Sequence, residues 1–126
     1  MNENKSNSPE LDEFIQFRER RKKGNEVVLD TDNKVIKRFF NLDTQCYKEG
    51  ALDKSTKELL GLVASLVLRC NDCIDYHVEE TVKSGLTNEQ IEEAMSVALV
   101  VGGSIVIPHL RHAKQSLLAL REELTP

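Results

Sequence analysis

Two cysteines and a histidine stand close together in the middle of the chain, in the segment Cys70-Asn71-Asp72-Cys73-Ile74-Asp75-Tyr76-His77. Cysteines separated by two intervening residues at a helix start can close a small disulfide without unfolding the chain, and such a pair suits reversible redox exchange. The attacking species is a thiolate, which the free N–H groups of a first helical turn and a nearby imidazole both favour. Because His77 follows Cys73 by four residues on the same helix face, Cys73 is the better-placed nucleophile.

Other interpretations of this segment remain open. Several nearby carboxylates would raise the pKa of a thiol unless they face solvent; they belong to Asp72, Asp75, Glu79 and Glu80. Both cysteines could also be inert core residues. A metal site would combine Cys70, Cys73 and His77 with His109 or His112, but zinc sites of this type place their second ligand pair much closer in the sequence. We therefore predict no metal and no cofactor.

The segments around the motif are helical by their apolar spacing, and no segment alternates like a strand. The sequence predicts an all-α, single-domain bundle of about six helices. Their predicted ranges are 10–23, 32–48, 53–68, 73–83, 88–101, and a last helix that starts between 104 and 109 and runs to about 123.

Local signals set several of these boundaries. Gly24-Asn25 reads as a stop for the first helix, and Gly102-Gly103 as a break before the last one. Thr87 and Gln90 form a capping box. Cys46 falls within the apolar set of the second helix, which predicts a buried core position.

Composition narrows the function further. The 126 residues carry a formal net charge of −4, which argues against nucleic acid as the main partner. The longest apolar run, 94–107, is too short to cross a bilayer, and the start of the chain lacks the features of a secretory signal, so we predict a cytoplasmic protein with no membrane contact. Residues 1–9 are polar and predict a flexible tail, which leaves 10–126 as the domain.

Adding Glu58 to the motif makes a resemblance to a known family visible. Glu58, eleven residues, Cys70, two residues, Cys73, three residues and His77 match the signature of the carboxymuconolactone decarboxylase-like superfamily, in its alkyl hydroperoxidase D-like branch. The core from 35 to 120 is similar to that family in length, helix order and the glycine break. One departure is Asp72, where the best-studied branch carries a second histidine between the cysteines.

The resemblance implies a helical homo-oligomer, often a hexamer or trimer, that acts as an antioxidant thiol peroxidase. It implies that Cys73 attacks the peroxide, that Cys70 resolves the sulfenic acid as a disulfide, and that Glu58 and His77 relay protons. The implied partners are a peroxide substrate and a reducing thiol or a lipoyl-bearing or thioredoxin-like protein. The alternatives are a lactone-converting decarboxylase and a non-enzymatic oligomeric redox sensor.

Geometry sets a condition on the relay. On one straight helix, Glu58 would lie about 18 Å from Cys70 at about 1.5 Å per residue, so the relay needs a chain reversal near Arg69 to Asp72 or a Glu58 from another subunit. Otherwise Glu58 is an exposed partner of Lys54 one turn away. A decarboxylase would need cationic groups for substrate carboxylates, and the candidates are Arg69, Arg111, His109 and His112.

Overall fold

The structure, a computed structural model, describes residues 6–125, and all regular elements in that range are helical. The helices are α1 (Pro9–Leu29), α2 (Lys34–Cys46), α3 (Lys54–Val67), α4 (Asn71–Lys83), α5 (Asn88–Gly102) and α6 (Ile107–Leu124), with one 3₁₀ turn (Ser104–Val106) before α6. The predicted all-α class with about six helices is confirmed.

Side-chain caps explain where most helices begin. Asp53 accepts a hydrogen bond from the Thr56 backbone N–H and starts α3, and the predicted capping box of Thr87 and Gln90 starts α5. Pro108 lies in the first turn of α6, where a missing N–H costs nothing, so the start falls within the predicted window. Gly103, with φ of 82°, supplies the break that the glycine pair predicts.

The first helix is longer than predicted. It continues through Gly24-Asn25 to Leu29, because a glycine inside a helix costs only about 1 kcal/mol relative to alanine and does not by itself end the helix. Packing of Leu11, Phe14 and Phe17 anchors its first half to the domain core.

The beginning of α1 is tied to the far end of the chain. Ser8 caps α1, its backbone N–H donates to Glu122 at 3.0 Å, and its hydroxyl donates to the same carboxylate at 2.5 Å. Helix α1 therefore starts at Pro9, one residue inside the predicted flexible tail. Residues 1–5 of that tail lie outside the described residues.

The core lies between α1, α3, α4, α5 and α6. Its completely buried large side chains include those of Leu62, Leu66, Ile74, Ile91, Met95 and Leu117. Within residues 6–125, no helix combines the length and the apolar character that a membrane crossing needs.

Helix α2 differs from its prediction, since none of its residues is buried. Phe39 is 67% exposed and Leu42 is 63% exposed. Cys46 is exposed as well, so its predicted core role is wrong. The apolar periodicity of α2 correctly predicts a helix, but within residues 6–125 no element buries Val35, Phe39 or Leu42. The predicted homo-oligomer stays a prediction.

Candidate functional site

A reversal of the chain after α3 brings the predicted site residues together. Arg69 adopts φ of 60°, and the backbone N–H of Cys70 donates to the Ser65 carbonyl at 3.1 Å, which closes the end of α3. Helix α4 then runs back along α3. The relay needed either a chain reversal near Arg69 to Asp72 or a Glu58 from another subunit, and the structure shows the reversal. Glu58 therefore reaches His77 within a single chain.

The Glu58 carboxylate is completely buried and joins two helices. One oxygen lies 2.8 Å from Nδ1 of His77, and the other accepts from Lys54 Nζ at 3.0 Å. Glu58 is thus both a partner of His77 and a partner of Lys54, but it is not exposed. Burial raises the pKa of the Glu58 carboxyl, but the hydrogen bonds from His77 and Lys54 outweigh that effect and hold the pKa below its usual range.

Gly61 makes the approach of His77 to Glu58 sterically possible. A Cβ atom at position 61 would lie 2.5 to 2.8 Å from three atoms of the imidazole ring. Any side chain at this position would therefore push the His77 ring away from its present place. Gly61 is a site residue that the sequence analysis missed, because nothing in the sequence links a glycine of α3 to a histidine of α4.

The other ring nitrogen of His77 faces Tyr47, which the sequence does not mark as a site residue. The Tyr47 hydroxyl lies 3.4 Å from Nε2 of His77, and the Tyr76 ring meets the imidazole edge-on with centroids 5.0 Å apart. An ionised carboxylate only accepts hydrogen bonds, so Nδ1 of His77 is the donor to Glu58, and in the neutral imidazole Nε2 is then the nitrogen that accepts a proton. Burial, followed by the charge of Glu58, raises the pKa of Tyr47, which keeps its hydroxyl protonated and able to donate to Nε2.

The two cysteines form a disulfide at the start of α4, with Cα atoms 5.3 Å apart. Cys70 is the N-cap of the helix, and its sulfur accepts from the Cys73 backbone N–H at 3.3 Å. Cys70 is half-buried, whereas Cys73 is exposed. The predicted pair is therefore able to close, and Cys73 is the sulfur that a solute reaches more easily.

Cys73 and His77 line one cavity of about 440 Å³. Its walls come from α1, α2 and α4, with Arg20, Arg21, Gly24, Asn25, Asp43, Asp72, Cys73, Tyr76 and His77 as lining residues. The cationic residues in these walls are Arg20 and Arg21 of α1, a helix that the sequence analysis did not connect with the site. The candidate arginines Arg69 and Arg111 do not line this cavity.

The remaining two histidines contact α4 from α6, and neither lines the cavity of Cys73. His109 Nδ1 lies 2.8 Å from the Asn71 amide oxygen, and His112 Nε2 lies 2.9 Å from the buried Asp75 carboxylate. Ser116 donates to the same carboxylate at 2.5 Å. Among residues 6–125, no three side chains of the kinds that bind metals converge on one point.

The His112 contact predicts a pH-dependent contribution to stability. The hydrogen bond to Asp75 raises the pKa of His112 above 6.5, and burial opposes this only in part. The folded protein therefore binds the His112 proton more tightly than the unfolded chain, so the stabilisation is complete below about pH 6.5 and is lost as the pH rises through the raised pKa. We expect His112→Gln to lower the free energy of unfolding by about 1 to 2 kcal/mol at about pH 6 and by much less at about pH 9.

Urea unfolding of wild type and variant at both pH values measures this effect. The matched control is His109→Gln, whose histidine contacts a neutral amide. A loss for His112→Gln that is the same at both pH values would show that the pair does not stabilise the fold through the charge of His112.

The sequence and the fold of this chain are similar to those of known proteins. Residues 33–116 match the family model described as Carboxymuconolactone decarboxylase family. A protein of this family from Thermotoga maritima is 56% identical, with a TM-score of 0.80 over 85% of this chain and 91% of its own. A second one from Legionella pneumophila is 29% identical, with a TM-score of 0.75 over 88% of this chain and 96% of its own.

Curated relatives match shorter stretches. The uncharacterized protein 4 in cox locus of Paracoccus denitrificans is 36% identical over 86 residues, which cover 68% of this chain and 74% of that protein. Alkyl hydroperoxide reductase AhpD of Corynebacterium kroppenstedtii is 34% identical over 55 residues, or 44% of this chain. The chain spans about a third of the length of that reductase, 32%.

Proposed function

The chain belongs to the carboxymuconolactone decarboxylase family, and we propose that it is a thiol-dependent peroxidase with an antioxidant role. The observation that carries the proposal is the buried Glu58–His77 pair, 2.8 Å apart, beside a cavity that Cys73 also lines. A base held by a buried carboxylate, next to an exposed cysteine with a second cysteine in disulfide range, suits peroxide reduction. The similarity to the AhpD reductase and to the Thermotoga maritima protein, which has been considered for the antioxidative response, supports it.

The proposed reaction begins with the reduced pair. His77 takes the proton of the Cys73 thiol through Nε2, and Glu58 stabilises the imidazolium that forms. The thiolate attacks the terminal oxygen of the hydroperoxide; an S–O bond forms, the O–O bond breaks, and the leaving alkoxide takes a proton from His77. Cys73 is now a sulfenic acid and the peroxide has become an alcohol.

Cys70 completes the turnover. Its thiol attacks the Cys73 sulfur, the disulfide forms, and the sulfenic oxygen leaves as water. The sum is one hydroperoxide and two thiols converted to one alcohol, one water and one disulfide. An external dithiol, of the lipoyl-bearing or thioredoxin-like class, must then reduce the disulfide by exchange.

The test is the reaction of the reduced protein with an organic hydroperoxide in the absence of any other reductant. We expect one equivalent of peroxide to be consumed and two thiols to be lost per chain, much faster than for a free cysteine. Stopped-flow mixing with thiol counting measures both quantities.

Slow loss of both thiols at equal rates, no faster than free cysteine, would overturn the proposal. The alternative is a lactone-converting enzyme of the decarboxylase type, which would keep its full activity after both cysteines are replaced. A third outcome, a change of oligomer size on oxidation without catalytic consumption of peroxide, would identify a redox sensor instead.

A further inference from the structure

We propose that Arg21 of α1 binds a carboxylate group of the substrate, so that the preferred substrates are organic hydroperoxides that also carry a carboxylate. The inference rests on the proposed peroxidase function and extends it to a substrate class. Arg21 lies in α1, outside the residues that match the family model, 33–116. It nevertheless lines the same cavity as Cys73 and His77.

The exposed side chain of Arg21 contacts an aromatic ring of the site. Its guanidinium carbon lies 4.2 Å from the centre of the Tyr76 ring, which is within cation–π distance. A guanidinium carries five N–H donors, and a contact with a ring face uses none of them as a hydrogen bond to an acceptor atom, so donors remain for another partner. In the part of the chain that the structure describes, no carboxylate lies within salt-bridge distance of Arg21.

The charged residues around Arg21 do not neutralise it, so its guanidinium can bind an anion. Arg20 and Asp72, which also line the cavity, lie 3.9 Å apart and balance each other. The remaining carboxylate in the wall belongs to Asp43 of α2, which opposes anion binding from the side of the cavity formed by that helix. An arginine without an acidic partner in a cavity suits a planar carboxylate, because two parallel N–H donors match its two oxygens.

The shared cavity suits one molecule that carries both a carboxylate and a hydroperoxide group. Tyr76 follows Cys73 by three residues, so their Cβ atoms are neighbours about 5 to 6 Å apart on the helix surface. Because Arg21 contacts the Tyr76 ring and all three residues line one cavity, a carboxylate bound by Arg21 and a peroxide group at Cys73 would occupy the same cavity.

The probe is cumene hydroperoxide that carries a para-carboxylate, and its methyl ester is the neutral match. Reduced protein is mixed with each peroxide without an external reductant, so that only the first half-reaction is observed. We expect wild type to bind the acid about tenfold more tightly than the ester, with similar limiting rates. This preference should weaken at high salt, because the contact is ionic and Arg21 is exposed.

Variants separate Arg21 from the general charge of α1. Arg21→Gln should bring the acid-to-ester ratio of apparent dissociation constants close to one, Arg21→Lys should keep part of the preference, and Asp43→Asn should increase it. The matched control is Lys22→Gln, the neighbouring exposed cation that does not line the cavity, which should keep the wild-type ratio.

The outcomes distinguish the two proposals. Rapid consumption of both peroxides with equal affinity in wild type would overturn the carboxylate site and leave the peroxidase proposal standing. An equal loss of preference in Lys22→Gln would also overturn it, since the effect would then be long-range charge. If neither peroxide is consumed, the peroxidase proposal fails and the substrate class fails with it.

Discussion

Replacing Cys73 with serine is expected to reduce hydroperoxide consumption to the uncatalysed rate, a loss on the order of 10³-fold or more. The reason is chemical, since a serine hydroxyl at the same place cannot supply a nucleophile of comparable reactivity without a far stronger base. Cys73 is the exposed member of the pair and shares its cavity with His77. Peroxide consumption under single-turnover conditions measures the loss.

Two further cysteine variants test whether the loss of activity is specific to Cys73. Cys70→Ser should still reduce one equivalent of peroxide and then stop, with a sulfenic acid on Cys73 that a trapping reagent marks for mass spectrometry. Cys46→Ser is the matched control, because Cys46 is exposed on α2 and forms no disulfide. A trapped sulfenic acid on Cys70 in the Cys73→Ser protein would show that the roles of the two cysteines are reversed, as the N-cap position of Cys70 would then explain.

Replacing Glu58 with glutamine is expected to slow peroxide reduction by about 10- to 100-fold at neutral pH. The amide keeps the shape of the carboxylate and accepts a hydrogen bond from His77, but it carries no charge to stabilise the imidazolium that forms when His77 takes the thiol proton. We therefore expect the pH at which the rate reaches half its maximum to rise. The pH dependence of the single-turnover rate measures the shift.

The control for Glu58→Gln is Glu80→Gln, because Glu80 also contacts Lys54. Glu80 accepts from the same Lys54, at 3.2 Å, and does not contact His77. Glu80→Gln should therefore leave the pH profile in place, whereas an equal shift in both variants would show that Lys54 and general charge are responsible. A Glu58→Gln protein with the wild-type rate and profile would remove Glu58 from the relay.

The same carboxylate also predicts how acid affects the fold. Because the pKa of Glu58 is lowered in the folded state, its contribution to stability is present above its ordinary pKa and is lost as the pH falls through the lowered value. The loss of stability of wild type in acid should therefore be steeper than that of Glu58→Gln.

Features that depend on local sequence could be predicted. The capping box of Thr87 and Gln90, the cap at Asp53 and the break at Gly103 each follow from side chains within one helical turn. The four-residue pattern of Glu58, Cys70, Cys73 and His77 is enough to indicate the family. What it could not decide was whether Glu58 reaches His77 in one chain, because the answer depends on Arg69 adopting a left-handed conformation that its residue type disfavours.

Features that depend on packing between distant segments were missed. The stop at Gly24 was wrong, since a helix with three buried anchors in its first half tolerates a glycine later on. Apolar spacing predicted α2 as a helix but could not tell that its apolar side lies uncovered in one chain. The positions of Tyr47, Gly61 and Arg21 near the site depend on tertiary packing, because His77 lies on α4 whereas these residues lie at the end of α2, on α3 and on α1.

The absent side chain at Gly61 offers a way to sort the proteins of this family by sequence. The glutamate of one helix and the histidine of the next can share a proton only if the residue three positions after the glutamate has no side chain. We expect chains with glycine at this position to build the pair within one subunit. Chains with the same glutamate, cysteines and histidine but a bulkier residue there must place the imidazole elsewhere, and a shared motif would then not mean a shared mechanism.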